Sequence, residues 1–563
     1  MEVRLLSRAL VRPGSTPGRF RFSLTVFVAL PQDDQFPPRK PHSSLRSPRR
    51  RFTIERTIHR SRAYALRFFS PIQPRNHIVK WLHLAWSVLV IAAALGQANA
   101  ADRPNILVIL SDDQGWADIG YHNPKVYTPN LDRLATAGVR FTRHYVMPQC
   151  TPTRVALFTG RYPGRFGITG LQATNDPVLP YGTVTLASLL KAHGYETYLV
   201  GKWHMGSAFE YGPNHYGFDH SYGALAGAVG AYDHRYRPGN PFEITWHRDL
   251  RIIPGYENGT HVTDLLAAEA VRVIKARHDK PFFLYLPFFA PHTPLDERGP
   301  FVDTPTQRDP EHPDRWLNED AIPWFHDPAG KIQQEKDPER RLLLAVVYHL
   351  DDAIGRVVRA LEETGQRENT VIFFSSDNGP QHSWNGNAYP DDLKLTDFNQ
   401  PIPFRGVKCD VYEGGVRVPG FINWPGKIPP RAIDTPVHIV DWLPTIASIA
   451  GAELPVLTDQ PAFDGIDLSP IVFGQTDTLP EREIYLVHRT PPDKWALRCG
   501  DWKIVCYTRK QPAVDDWELY NLADDPKESR NVASAYPDVV AALHELFVRH
   551  RAKDKTGRNI PSP

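Results

Sequence analysis

Four short apolar runs constrain this chain more than any other feature: Ile106 to Leu110, Glu196 to Val200, Phe282 to Leu286 and Thr370 to Phe374. Each is rich in β-formers, and stretches of helical period lie between them. Strands that alternate with helices build a parallel sheet covered on both faces. Helices are expected at Pro129 to Ala137, Val184 to Ala192, Thr263 to Ala276 and Glu339 to Glu363, the last with Leu342, Val346, Leu350, Ile354 and Val357 on one stripe. The expected core is therefore α/β, a large mixed and mostly parallel sheet sandwiched by helices. Phe301 to Lys336, rich in Pro, Asp and Trp and without periodicity, reads as a long surface insertion that lids or shapes a site. From about residue 475 the pattern changes to short strands, Ile484 to His488, Trp495 to Arg498 and Trp502 to Tyr507, with a turn at Gly500-Asp501 and a last helix from Pro537 to about Arg551. A smaller C-terminal α+β domain over 475–563 is expected. No internal repeat is present.

The 563 residues are 41% hydrophobic, 23% charged and 11% aromatic, which excludes wholesale disorder, collagen-like repeats and a multi-spanning membrane protein. Four cysteines exclude a disulfide scaffold. The net charge of +2 joins two unlike parts: residues 1–80 hold 17 Lys+Arg against 4 Asp+Glu, or +13, leaving 48 against 59, or −11, for the remainder. The part expected to fold is acidic and has no nucleic-acid footprint. Leu82 to Leu95 is an apolar run behind Lys80, followed by the small-residue site Ala98-Asn99-Ala100, so 79–100 reads as a signal peptide cut after Ala100. The run is too short for a stable membrane anchor. Residues 1–78 read as a mis-called extension, with Val79 as an alternative start; an organellar transit peptide is the other reading of this Arg-rich, acid-poor stretch. An exported, periplasmic or secreted protein is expected.

Polar residues gather where the strands end. Ile106 to Leu110 leads to Asp112 and Asp113, Tyr198 to Val200 to Lys202 and His204, Phe282 to Phe289 to His292, and Val371 to Phe374 to Asp377 and Asn378. Ligands of open parallel sheets bind outside the carboxyl ends of the strands, so all four groups are expected on one edge. Asp112, Asp113, Asp377 and the Asn378 amide oxygen form a hard, oxygen-only set suited to calcium or magnesium. Read pair by pair, the same residues are turn and cap formers, and that reading stays open. Cys150 precedes Pro152, a residue suited to a first helical turn, so the cysteine is expected at a helix N-terminus where the dipole favours negative charge. A lone cysteine otherwise reads as buried packing. Lys202 and His204 alternate along an extended segment and can face the same way. His292 lies between Pro291 and Pro294 in a rigid loop, and Lys408 precedes Glu413-Gly414-Gly415, whose glycines allow close backbone approach. Two lysines, two histidines, a metal set and a nucleophile together describe a site for a tetrahedral oxyanion ester. The chain has no α/β-hydrolase nucleophile elbow, Walker loop, H-E-x-x-H or Gly-rich dinucleotide turn.

The string from Cys150 to Arg161, C-x-P-x-R followed by T-G-R, resembles the signature of the formylglycine-dependent sulfatases of the alkaline phosphatase-like superfamily. Supporting strings are Pro104 to Gly120, Gly201 to Gly206, Ala290 to Pro294, Ser375 to Gly379, Phe404 to Pro419 and Trp517 to Ala533, so the likeness runs from about 104 to 550. The resemblance implies a sulfatase catalytic domain over 101–474, with Cys150 oxidised by a separate maturation enzyme to formylglycine, whose hydrate is the nucleophile. Asp112, Asp113, Asp377 and Asn378 would hold one calcium ion. Arg154 would stabilise the hydrated aldehyde, and Lys202 and Lys408 would neutralise the sulfate. His204 would take the proton when the sulfated hemiacetal collapses, and His292 would protonate the leaving alcohol. Gly201 to Gly223 and Tyr256 to Thr263 look most like arylsulfatase B-type enzymes, which remove 4-sulfate from N-acetylgalactosamine. The loops Ala231 to Arg237, Phe301 to Lys336 and Gln381 to Lys394 would set specificity, with Asp233, His234 and His382 as candidates for gripping a sugar or as plain surface residues. The partners implied are a sulfated carbohydrate or aryl sulfate and the maturation enzyme. Cys409 reads as incidental, and Cys499 and Cys506 flank their turn too unequally for a disulfide. Two other functions compete: a phosphoester or phosphonate hydrolase of the same superfamily, and a catalytically silent carbohydrate-binding relative.

Overall fold

A computed structural model describes residues 103–170, 177–236, 239, 242–253, 258–304, 306–381, 403–489, 491–508 and 510–556. The expected leader, the 1–78 extension, Tyr256, His382 and nearly all of the Gln381 to Lys394 loop lie outside the described residues. Among those described, no helix is long and apolar enough to cross a membrane.

In chain order the strands are β1 (Asn105–Ser111), β2 (Val139–Phe141), β3 (His144–Tyr145), β4 (Glu196–Lys202), β5 (His220–Ala224), β6 (Trp246–Arg248), β7 (Arg251–Ile252), β8 (Phe282–Pro287), β9 (Thr370–Ser376), β10 (Gly420–Asn423), β11 (Arg431–Ile433), β12 (Val437–His438), β13 (Glu483–His488), β14 (Asp493–Cys499), β15 (Trp502–Thr508) and β16 (Glu518–Asn521). Ten of them form one sheet in the order β11-β2-β10-β9-β1-β8-β4-β5-β6-β7. The centre, β9-β1-β8-β4-β5, is parallel throughout. Antiparallel pairings enter at the flanks, where β10 meets β9 and β2, and where β6 meets β5 and β7. The sheet is thus mixed and mostly parallel, as expected, and the unexpected strands are β5 and the short flanking ones.

All seven residues of β1 are buried, which explains why the central strands read as unbroken apolar runs. Alternate side chains serve two separate cores. Ile106, Val108 and Leu110 join Phe283, Tyr285, Val371 and Phe373 on one face. Leu107 and Ile109 join Leu284, Leu286, Ile372 and Phe374 on the other. The first face is covered by α2 (Cys150–Thr159), α3 (Leu186–Ala192) and α6 (Trp442–Ala450), and the second by α1 (Pro129–Thr136), α4 (Val262–Lys275) and α5 (Pro338–Glu363). The predicted stripe of α5 is buried throughout.

Strands β13 to β16 form a separate antiparallel sheet covered by α7 (Pro537–Arg551). Their apolar residues continue the first core, with Leu486, Trp495, Val505 and Phe547 in the same cluster as Leu157 and Ile446. Cys499 pairs across the turn with Trp502, and Cys506 with Trp495, so the two thiols do not face each other, and both are free.

Phe301 to Lys336 departs from its expected role as a surface insertion. Trp316, Ile322, Phe325 and Ile332 are buried in the second core, Arg341 of α5 donates from Nε to Glu319 at 2.7 Å, and Trp324 stacks on His349 at 3.9 Å. Its aromatic residues anchor it against α5, which a reading by periodicity alone does not register.

Candidate active site

The adjacent central strands release their following residues on one edge. Asp112 and Asp113 leave β1, Lys202 closes β4, His292 follows β8, and Asp377 and Asn378 leave β9. Asp113 takes a left-handed φ of 65°, a conformation Asp tolerates better than most residues, and its N–H donates to Asp377 Oδ1 at 3.1 Å. Asn378 Nδ2 donates to Asp113 Oδ1 at 2.7 Å. The three acids and the amide therefore form one knot. Asp112, Asp113, Cys150 and His292 each bring a possible metal-ligating atom within 4.8 Å of the others.

Helix α2 delivers Cys150 and Arg154 to this knot. It starts at Cys150, after Gln149 in extended backbone, and all ten of its residues are buried. Cys150 Sγ lies 3.7 Å from Asp112 Oδ1. One turn on, Arg154 donates from Nη2 to Asp377 Oδ2 at 2.9 Å and from Nη1 to the Lys202 carbonyl at 3.1 Å and the Tyr285 hydroxyl at 3.2 Å. Lys202 pairs with Asp112, and Lys408 Nζ donates to Asp113 Oδ2 at 2.8 Å. His292 Nε2 is 3.7 Å from Asp113 Oδ2, while its Nδ1 meets the Thr293 carbonyl. His204 reaches the site by a left-handed turn at φ 55° rather than by simple alternation with Lys202. A Cβ on Gly227 would lie 2.2 Å from His204 Nε2, so any other residue there would push the imidazole out of its position. The glycines after Glu413 act as expected: a Cβ on Gly414 would sit 2.1 Å from the Gly406 carbonyl oxygen.

Burial dominates the proton affinities, and neighbouring charges then sort the groups. Burial pushes the Cys150 thiol far up despite Lys202 and Lys408, with Asp377 and Asp112 adding to the rise. The helix dipole therefore does not yield the thiolate that its position suggests. Burial would raise Asp113 too, but the charge of Lys408 and the hydrogen bonds from Lys408 and Asn378 outweigh it and hold the carboxyl low. Asp377 goes up, through burial and the charge of Asp112. Both histidines are held neutral: His292 falls to about 3 through burial and Lys408, and His204 lies well below its ordinary value through burial and Lys202.

Several buried polar atoms of the site lack a hydrogen-bond partner: Asn378 Oδ1, Arg154 Nε and His204 Nδ1. An orphaned amide oxygen beside three carboxylates is a donor set suited to a hard divalent cation, and the residues fit one. Of the sugar-gripping candidates, His234 is buried, with Nε2 against the Thr260 carbonyl at 2.9 Å and its ring on Trp246 at 4.7 Å, which makes it a packing residue. Asp233 pairs with Arg235 at 2.9 Å. Tyr285 is a site residue that its strand conceals: one hydroxyl in an apolar run gives no sequence signal until Arg154 is folded against it.

A strand-edge site of three acids, three cations and two neutral histidines defines a hydrolase of tetrahedral oxyanion esters. The sulfatase family profile matches residues 104–452, and the profile described as N-sulphoglucosamine sulphohydrolase, C-terminal, matches 407–553. The chain belongs to the sulfatase family and hydrolyses sulfate esters. It is 30% identical to human arylsulfatase A over 517 residues, covering 81% of this chain and 89% of that one. It is 32% identical to N-acetylgalactosamine-6-sulfatase of Canis lupus familiaris over 476 residues, with 80% of each covered. Among solved structures, Ps i-CgsB in complex with k-i-k-neocarrahexaose superposes with a TM-score of 0.64 at 29% identity, covering 80% of this chain and 94% of that one.

Proposed function

We propose that this chain is an exported sulfatase that removes sulfate from a sulfated carbohydrate, of the N-acetylgalactosamine-4-sulfate or aryl sulfate kind. In this reading Cys150 is converted to formylglycine by a maturation enzyme, and Asp112, Asp113, Asp377 and Asn378 hold one calcium ion. The observation that carries it is Cys150 at the start of α2, 2% exposed, beside Asp112 and in the field of Lys202 and Lys408. A thiol kept protonated by burial is a poor nucleophile, so the position calls for its oxidised form. When present, the hydrated aldehyde supplies a nucleophilic hydroxyl and the calcium ion supplies charge against the sulfate oxygens.

The remaining chemistry belongs to the chain's own side chains. Lys202 and Lys408 neutralise the sulfate, whose charge spreads over its oxygens in the transition state. Arg154, held by Asp377, the Lys202 carbonyl and Tyr285, orients the group at position 150. His204, neutral when the site is empty, accepts a proton from the hydroxyls there. His292 protonates the leaving alcohol from Nε2, since Nδ1 faces the Thr293 carbonyl. It is neutral in the resting site, so it takes up its proton as the anionic substrate arrives. A phosphoester hydrolase of the same superfamily would call for more metal than the single oxygen set of Asp112, Asp113, Asp377 and Asn378 in this reading.

The test is sulfate release, measured by ion chromatography, from N-acetylgalactosamine-4-sulfate, its 6-sulfate isomer and an aryl sulfate, with enzyme co-produced with a formylglycine-generating enzyme. The expected result is turnover of a sulfate ester at a rate proportional to the aldehyde content of position 150. Hydrolysis of a phosphate ester in preference to every sulfate ester, or no turnover at full aldehyde content, would overturn the reading.

A further inference from the structure

One cross-strand pair of the C-terminal sheet touches both loops that carry the site's nucleophile position and its second lysine. His488 of β13 and Lys494 of β14 lie directly opposite each other. His488 is 1% exposed, and its Nε2 faces Gln149 Oε1 at 3.0 Å, on the residue immediately before Cys150. Lys494 Nζ donates to the Cys409 carbonyl at 2.8 Å, on the residue immediately after Lys408, and to Asp410 Oδ1 at 2.8 Å. Tyr507 donates to the same Asp410 oxygen at 3.0 Å, and its ring lies 5.2 Å from the Lys494 ammonium. The two loops also bond directly: the Cys409 N–H donates to the Pro148 carbonyl at 2.7 Å. The contacts close a ring that runs from Pro148 through Cys409, Lys494 and His488 to Gln149.

The backbone at Cys409 needs such a ring. It holds a φ of 71°, a left-handed conformation that costs a non-glycine residue about 1–3 kcal/mol and persists only where the surroundings over-determine it. Released from Lys494 and Pro148, the peptide would relax toward ordinary backbone and turn Lys408 away from Asp113. Of the three cations described at the edge, Lys408 comes from a loop, whereas Lys202 ends a strand and Arg154 rides a helix.

We propose that the His488–Lys494 pair is a positioning device that holds Lys408 and Cys150 in register for sulfate. Lys494 acts on Lys408 through the Cys409 carbonyl, and His488 acts on Cys150 through Gln149; neither touches the reacting atoms. This rests on the sulfatase reading of Cys150 and Lys408.

Full-length Lys494→Met, Lys494→Arg and wild type are compared at measured aldehyde content, with kcat and KM expressed per aldehyde on an aryl sulfate and inorganic sulfate used as the binding probe. Lys494→Met is expected to lower kcat/KM per aldehyde about tenfold, the scale of a sub-ångström misplacement, and to weaken inhibition by inorganic sulfate, with Lys494→Arg recovering most of both. Unchanged kcat/KM and sulfate inhibition per aldehyde would overturn the proposal, even if thermal stability falls, because that is what a purely structural contact predicts. Should Lys494→Met fail to fold, His488→Phe carries the test: a comparable per-aldehyde loss supports the device and wild-type values contradict it. A wild type inactive on every sulfate ester at full aldehyde content would sink the sulfatase reading instead, so the two failures are distinguishable.

Discussion

Two charged clusters, a buried one at the sheet edge and a partly buried one on α5's side of the molecule, look alike in composition and differ in what they leave unpaired. At the edge, Asp112, Asp113 and Asp377 face Arg154, Lys202 and Lys408, and Asn378 Oδ1, His204 Nδ1 and Arg154 Nε have no partner. The second cluster joins His261, Asp264, Glu297, His349 and Arg356. His349 Nδ1 meets Glu297 at 3.0 Å and its Nε2 meets Asp264 at 3.2 Å; Arg356 pairs with Asp264 at 2.5 Å. His261 Nδ1 accepts the Thr263 N–H, and its Nε2 meets the Asp296 carbonyl at 3.1 Å. His261, Asp264 and His349 also bring possible metal-ligating atoms within 4.8 Å of one another. Yet every ring nitrogen there already has a partner, two carboxylates balance two cations, and the one atom without a hydrogen bond, Arg356 Nε, still lies 3.1 Å from an Asp352 carboxylate oxygen. Residue type alone therefore does not separate machinery from scaffolding; the unfilled valences do.

The largest expected effect breaks the edge cluster at its proposed nucleophile. Cys150→Ala should lower sulfate release by on the order of 10⁵-fold or more, with the melting temperature near wild type, as read by activity and calorimetry on one preparation. His292→Ala comes next, with a loss of about 10²–10⁴-fold on an alkyl sulfate and a smaller one on an aryl sulfate, whose leaving group needs less help from an acid. Because free His292 is held below its ordinary value, its protonated form is scarce at neutrality. Wild-type kcat/KM should accordingly fall as pH rises, a limb that His292→Ala removes.

Breaking the second cluster should do the reverse. Burial alone would lower His349, but Glu297 and Asp264 outweigh it and raise it to about 9. A raised histidine contributes stability that is complete below about 6.5 and is lost as pH climbs through about 9. His349→Gln should cost about 3–5 kcal/mol in unfolding experiments at pH 7 and flatten that alkaline loss, leaving turnover per aldehyde near wild type. The smallest effect sharpens the contrast directly. Added calcium at about 100 times its dissociation constant should stabilise wild type by about 2.7 kcal/mol, and His349→Gln by the same increment. Asp377→Ala should lose the increment, and a calcium response abolished by His349→Gln would assign the ion to the wrong cluster.

The sheet and the edge cluster are legible in sequence because central strands are buried on both faces and announce themselves as apolar runs, with the site residues directly behind them. The short strands are not, whether they join the main sheet or the C-terminal one. β5 reads His-Ser-Tyr-Gly-Ala and β16 reads Glu-Leu-Tyr-Asn, too short and polar to carry a period. What supports the site is equally silent. His488 and Gln149 are 339 positions apart, and Lys494 and Cys409 are 85 apart. Each is an ordinary polar residue until the fold brings it against its partner. The same holds for Lys503, buried between Glu413 and Glu528 at 2.9 Å from each, which ties the glycine turn behind Lys408 to the C-terminal sheet.

The most direct measurement is mass spectrometry of the tryptic peptide His144 to Arg154 alongside sulfate release, over preparations that differ in exposure to a formylglycine-generating enzyme. The expected result is an aldehyde or its hydrate at position 150, with activity proportional to its fraction and extrapolating to zero with it. Full activity from protein whose position 150 remains cysteine would contradict the account.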